Sequence, residues 1–129
     1  MVAFATMKTK SLLGLVAGVI LILSAGAHTI LGWKAMSDQL AQTNAPPDLV
    51  MGLRMGWTFG GPVMLVFGIL CISTFLRRFR GEPAPTLAPI LIAVAYIGFA
   101  AWAAIESGGD PFFMLFLVPG MLLSIASIP

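Results

Sequence analysis

Long apolar runs dominate the chain, and polar residues are confined to the short stretches between them. This pattern predicts helices at about 11–33, 48–76, 86–106 and 111–128. Each run is long enough for a helix to cross a hydrocarbon core of ~30 Å, which takes roughly 17 to 25 residues. The runs are too long and too uniformly apolar for the strands of a barrel, so helices are expected.

The connections between the runs predict how the helices begin and how they are arranged. Pro46-Pro47-Asp48 and Asp110-Pro111 precede the second and fourth runs, where an aspartate is a favourable N-cap and proline fits the first turn. Short connections force neighbouring helices to run in opposite directions. We therefore expect an all-α integral membrane protein: one domain, 1–129, with four transmembrane helices in an up-down antiparallel bundle.

Composition supports a location in the membrane. The 129 residues are 59% hydrophobic and 9% charged, with a mean hydropathy of +1.00, a balance that excludes an ordinary soluble domain. The net charge of +2 does not indicate nucleic acid, because the seven basic residues are divided among short flanking segments. Cys71 is the single cysteine, so no disulfide can form within the chain.

The placement of basic residues predicts the orientation. Five of them flank the start of the first run and the connection between the second and third: Lys8, Lys10, Arg77, Arg78 and Arg80. The opposite side has Lys34 and Arg54. The positive-inside rule then predicts a multi-pass protein of the cell membrane with both termini cytoplasmic. The first apolar run, about 20 residues, exceeds the roughly 7 to 15 of a signal peptide core, which favours an uncleaved first span.

Small residues at helical spacing predict where the helices pack. Lipid is as apolar as leucine, so close approach through small side chains must hold membrane helices together. Two sets of such residues are expected at helix contacts: Gly14, Gly18 and Ala25 in the first helix, and Gly52, Gly56 and Gly60 in the second. His28, the single histidine, lies on the same seam as the first set.

The ionisable residues within the apolar runs are candidates for function, because such groups are costly in a bilayer. His28 lies ~7 Å inward from Trp33, and Arg54 lies ~9 Å into its helix from Asp48. Glu106 ends the third run. His28, Arg54 and Glu106 are therefore expected at similar depths in the outer leaflet. This predicts a ligand-binding pocket there, formed by four residues: His28, Arg54, Trp57 and Glu106.

A structural alternative explains the same residues without a ligand. In it, Arg54 and Glu106 extend to the membrane interface, the tryptophans belong to an aromatic belt, and His28 bonds a neighbouring carbonyl. Both interpretations are compatible with the sequence.

The residue inventory favours a protein that is not an enzyme. One histidine and one cysteine cannot form a usual zinc site, and one histidine cannot ligate a haem on both sides. We find no phosphate-binding loop, serine nucleophile motif or suitably spaced carboxylate pair, so no catalytic residue and no metal ligand is assigned. The sequence requires no cofactor, although haem or another pigment beside His28, or a quinone, is compatible with it.

The stretch "LLGLVAGVILILSAGAHTILGW", followed by a short polar loop, a glycine-rich second span and two further spans, resembles the DoxX-like group of small bacterial four-helix membrane proteins. The resemblance covers the layout of the whole chain. It implies a place in the bacterial inner membrane and, in some members, a partner or quinone-linked subunit in a redox system. It assigns no role to individual residues.

These observations lead to three hypotheses of function. The first is an accessory or structural subunit of a membrane complex, which holds a lipid, quinone or pigment in the outer pocket. The second is a small-solute transporter module, which with four spans needs to oligomerise to enclose a pathway. The third is the membrane component of a redox system. The expected partners are the lipid bilayer and either further copies of the chain or a larger membrane complex.

Overall fold

Every regular element is helical in the computed structural model, which describes residues 2–128, the first five of them by their backbone alone. Helix accounts for 87% of the chain. The α-helices are α1 (Val2–Ala27), α2 (Trp33–Gln42), α3 (Pro47–Phe79), α4 (Leu87–Glu106) and α5 (Leu117–Ser127). A π-helical turn, His28–Gly32, joins α1 to α2, and a 3₁₀ segment, Pro111–Phe116, leads into α5.

Three helices are long and apolar enough to cross a membrane. They are Met7–Gln42, Pro47–Phe79 and Leu87–Glu106. The last apolar stretch, Pro111–Ser127, is helical as well but shorter. The chain thus has the helices of a multi-pass membrane protein.

The first helix is much longer than the apolar run predicts. Residues 34–42, which the polarity of the sequence assigns to a loop, continue the helix as α2. This segment contains neither proline nor glycine, and its lysine, alanines and glutamines are good helix formers. The connection to α3 therefore shrinks to residues 43–46, where Asn44 adopts a positive φ of 51°.

The two predicted aspartate caps have different outcomes. Asp110 accepts a hydrogen bond from the backbone N–H of Phe112 at 2.9 Å, with Pro111 in the first helical position. Asp48 does not cap α3, because that helix already begins at Pro47 and places Asp48 within its first turn. A carboxylate there still interacts favourably with the helix dipole.

The helices contact one another through specific pairs of residues. α1 packs against α3 and α5, and α4 packs against α5. Along α1 and α3, Gly14 lies against Phe75, Gly18 against Ile72 and Gly68, and Thr29 against Gly61. Residue numbers therefore rise along α1 as they fall along α3.

A cluster of buried residues joins all four of the longer α-helices. It consists of Ala17, Leu21, Cys71, Phe75, Ile92, Ala93, Tyr96, Leu123 and Ala126. Phe75 is fully buried and fills the space that Gly14 leaves open. Outside this cluster most large apolar side chains are exposed, as expected for helices that face lipid.

The glycines of α3 divide into two groups. A Cβ on Gly60, Gly61 or Gly68 would collide with an atom of the first helix or of the π turn that follows it, whereas a Cβ on Gly52 or Gly56 would meet nothing within 4 Å. Among the described residues, Gly52 and Gly56 therefore do not make the predicted contact with another helix. Trp57, Gly61 and Gly68 set the side of α3 that faces α1. Gly56 precedes Trp57 and is turned away from it by about 100°.

Candidate functional site

His28 and Trp57 exchange two hydrogen bonds between the π turn and α3. The indole Nε1 of Trp57 donates to the backbone oxygen of His28 at 2.7 Å. The imidazole Nε2 of His28 lies 2.9 Å from the backbone oxygen of Trp57. The two rings are stacked with their centroids 4.5 Å apart and their planes 6° from parallel. Each residue thus binds the other through both its side chain and its backbone.

This geometry determines which imidazole nitrogen carries a proton. A backbone carbonyl oxygen can only accept a hydrogen bond, so Nε2 of His28 must be the donor. In that contact Nε2 has no lone pair to offer to a metal. The arrangement therefore favours His28 as a polar link between helices over His28 as an axial ligand.

The π turn and the glycines of α3 make this close contact possible. A Cβ added to Gly60 would lie 2.7 Å from Nε2 of His28, and one added to Gly32 would lie 2.8 Å from Cζ2 of Trp57. Either distance is shorter than side-chain atoms tolerate. Glycine is required at both positions because the two rings occupy the space that a Cβ would fill.

Thr29 adds a further polar group to the junction. Its hydroxyl donates to the backbone oxygen of Ala25 at 2.9 Å and lies against Gly61. This bond satisfies the hydroxyl within its own helix, as threonine commonly does in membrane helices. The junction, formed by His28, Thr29, Trp57 and the glycines around them, is half-buried and its described polar side chains have partners.

The structure does not bring Arg54 and Glu106 into this junction. Both side chains are exposed, and neither forms an ion pair with any residue in the range 2–128. The ion pairs in that range join Lys34 to Asp38 at 2.8 Å and Arg77 to Glu82 at 3.3 Å. Of the four residues predicted to form an outer pocket, His28 and Trp57 are in contact, whereas Arg54 pairs with neither His28 nor Glu106.

The junction can hold helices in register. Nε2 of His28 and Nε1 of Trp57 each bond to the backbone of the other residue, and no group of three or more His, Cys, Asp or Glu side chains in the described part of the chain is placed to hold a metal ion. The sequence does not reveal that Thr29 and Gly61 belong to it. The sequence feature that could have pointed to Gly61 is its spacing of four residues from Trp57, which places both residues on one side of a helix.

We compared the chain with protein-family models, with curated proteins and with solved structures, and nothing matches it.

Proposed function

We propose that this protein is an accessory or structural subunit of a membrane complex and that it acts by packing against a partner helix rather than by catalysis. The observation that carries the proposal is a small apolar face at the start of α3 that no described residue of the chain covers. We call it the 49–56 face. It consists of Leu49, Met51, Gly52, Met55 and Gly56.

The residues of the 49–56 face lie together on one side of α3. At about 100° per residue they span the side of α3 that faces away from Trp57. Leu49, Met51 and Met55 are 52%, 56% and 66% exposed. Gly52 and Gly56 between them leave room for another helix to approach closely.

The lengths of the helices explain why this face needs a partner. α3 has 33 residues and is ~50 Å long, whereas α4 has 20 residues and is ~30 Å long. A hydrocarbon core of ~30 Å leaves about 20 Å of α3 outside if its Arg77 end lies at one interface. The first turns of α3 and all of α2 then project from the bilayer, where an uncovered apolar face is unfavourable.

The proposal includes four transmembrane helices in an up-down antiparallel bundle. Two observations support it. In the contacts between α1 and α3, residue numbers rise along α1 as they fall along α3. The stretch Pro111–Ser127 gains length from its 3₁₀ segment, whose rise of about 2.0 Å per residue brings the whole stretch to ~28 Å. We further propose cytoplasmic termini and, with the DoxX-like resemblance, a bacterial inner membrane.

The other two functions have less support. A transport pathway needs polar groups that line it together, and Arg54 and Glu106 form no ion pair with each other within the described part of one chain. A redox role through a haem or another pigment on His28 would have to use Nδ1, because the carbonyl of Trp57 engages Nε2.

Photo-crosslinking in intact membranes tests the proposal. A photoreactive amino acid at Met55 should give one discrete protein adduct, and Gly56→Leu should abolish it because the leucine fills the space between the helices. Gly98→Leu is the matched control, since Gly98 of α4 also has open space around it. An adduct of twice the 13.6 kDa chain mass would indicate self-association. Absence of any adduct, or an adduct unchanged by Gly56→Leu, would overturn the proposal.

A further inference from the structure

A cleft of about 600 Å³ opens at the end of the molecule opposite the junction. Its walls come from four places in the chain: Met7 near the start of α1, Arg78 at the end of α3, the loop 81–86, and Ser127 at the end of α5. The volume lies within the usual range of about 300 to 1,000 Å³ for small-molecule sites.

Arg78 is held in place on one wall of the cleft. Its guanidinium donates to the backbone oxygen of Ala126 at 3.1 Å and lies over the ring of Phe75, 5.9 Å from the ring centroid. These contacts use a small part of its capacity, because a guanidinium has several further N–H donors. A fixed guanidinium with donors to spare is a strong recognition element for phosphate.

Ser127 provides a second, independent indication of a ligand. It lines the cleft, is 6% exposed, and its hydroxyl has no hydrogen-bond partner. Ser124, on the same helix, shows the usual alternative, since its hydroxyl donates to the backbone oxygen of Gly120 at 2.9 Å. A buried hydroxyl without a partner costs free energy, so the position of Ser127 is explained if a bound group supplies the partner.

The start of α4 contributes to the same cleft. Thr86 is the N-cap residue and lines the cleft, but its side chain makes no capping hydrogen bond. The first amides of α4 thus have no side-chain acceptor, and the positive end of the helix dipole favours an anion there.

The charges around the cleft favour an anion as well. The segments 1–10 and 76–86 contain five basic residues and one carboxylate, Glu82. Glu82 also lines the cleft, where its charge opposes an anion, but Arg77 pairs with it at 3.3 Å. Arg77 also donates to the backbone oxygen of Pro83 at 3.0 Å, which holds the loop that forms the rim.

We propose that this cleft binds a phosphate group, and that the phosphate belongs to the headgroup of an anionic phospholipid. Arg78 bonds the phosphate oxygens, Ser127 turns about its Cα–Cβ bond to donate its hydroxyl to the same group, and the start of α4 faces it. The lipid is the favoured source because the cleft lies where membrane helices end, at the depth of the headgroups.

Binding of phosphatidylglycerol to the detergent-purified protein, measured by native mass spectrometry, tests the proposal. Arg78→Gln should weaken binding at least tenfold. Arg80→Gln is the matched control, because it removes the same charge two residues along the chain, from a residue that does not line the cleft. It should change binding less than twofold. Equal losses in the two variants, or equal binding of zwitterionic phosphatidylcholine by the unaltered protein, would overturn the proposal.

Ser127→Ala keeps the proposal falsifiable if Arg78→Gln unfolds. It removes no hydrogen bond within the protein, so the lipid-free variant should melt at the same temperature as the unaltered protein or higher. Its affinity for phosphatidylglycerol should nevertheless fall at least threefold, and an unchanged affinity would contradict the site. Inorganic phosphate alone is the second probe. Binding of phosphate that depends on Arg78, without binding of the lipid, would overturn the assignment to a lipid headgroup.

Discussion

Thr29 and Gly61 share one small volume between the π turn and α3. A Cβ added to Gly61 would overlap the hydroxyl oxygen of Thr29. That oxygen is held in position because it donates to the backbone of Ala25 at 2.9 Å. The two helices can approach here because one residue has no side chain and the other keeps its polar atom within its own helix.

Gly61→Ala should therefore destabilise the protein strongly. Overpacking of a close contact typically costs about 1 to 3 kcal/mol, and here relief would also require Thr29 to give up its hydrogen bond. Thermal unfolding in detergent measures the effect. Gly56→Ala is the control, since a Cβ there meets nothing and alanine favours the helix by up to about 1 kcal/mol. Similar melting temperatures for the two variants would contradict the close contact.

Trp57→Phe should destabilise the protein by about 1 kcal/mol. The substitution retains an aromatic ring but removes the indole N–H that donates to His28. Trp102→Phe is a suitable control, because Trp102 is 58% exposed and has a ring contact with Phe99 but no hydrogen bond. Equilibrium unfolding should separate the two variants, and an equal effect would show that the bond to His28 contributes nothing.

The imidazole of His28 should be protonated at Nε2. The carbonyl oxygen of Trp57 at 2.9 Å accepts only from an N–H, which determines this choice. Solid-state ¹⁵N NMR of the histidine-labelled protein in lipid distinguishes protonated from unprotonated ring nitrogens. An unprotonated Nε2 would contradict the junction as described.

Arg54 and Glu106 should behave as independent residues. Both are exposed and neither has an ion-pair partner in the described range 2–128. Arg54→Ala and Glu106→Ala should each change stability by less than about 0.5 kcal/mol, and the double variant should show the sum of the two changes. A coupling energy above about 1 kcal/mol in this cycle would support the predicted pocket.

Cys71 should resist a water-soluble maleimide until the protein unfolds. Its side chain is fully buried in the cluster that joins the helices. A Met55→Cys variant in a Cys71→Ala background is the control, because Met55 is 66% exposed and should react quickly in the folded protein. Rapid labelling of Cys71 in native detergent micelles would contradict the packing of the cluster.

The sequence predicts the helical class because apolar runs in a bilayer have few ways to satisfy their backbone. The ends of α3 and α4 fall within three residues of the predicted ends, where proline and charge interrupt the runs. The first helix is predicted poorly at both ends. Polarity marks residues that leave the membrane, and a helix such as α2 can continue beyond that point.

The functional residues are harder to predict because their side-chain directions depend on the register between helices. The seam through Gly14, Gly18 and Ala25 predicts the packed face of α1, and the first two do meet α3 there. In α3 the stripe of Gly52, Gly56 and Gly60 predicts a packed face, and of these three glycines Gly60 lies against His28 while Gly52 and Gly56 have open space around them. Similar depths in the membrane do not imply that His28, Arg54 and Glu106 are in contact. Depth does not determine the direction in which each side chain leaves its helix.

The π turn, His28–Gly32, accommodates one residue more than an α-turn within an otherwise continuous helix. Deleting one residue within it would restore a plain α-helix, and the side of α2 that meets α3 would keep nearly the same direction. Deleting a residue from the α-helix on either side would instead rotate everything beyond the deletion by about 100°. A one-residue gap within residues 28–32 is therefore compatible with an unchanged outer segment, whereas the same gap in α1 is not.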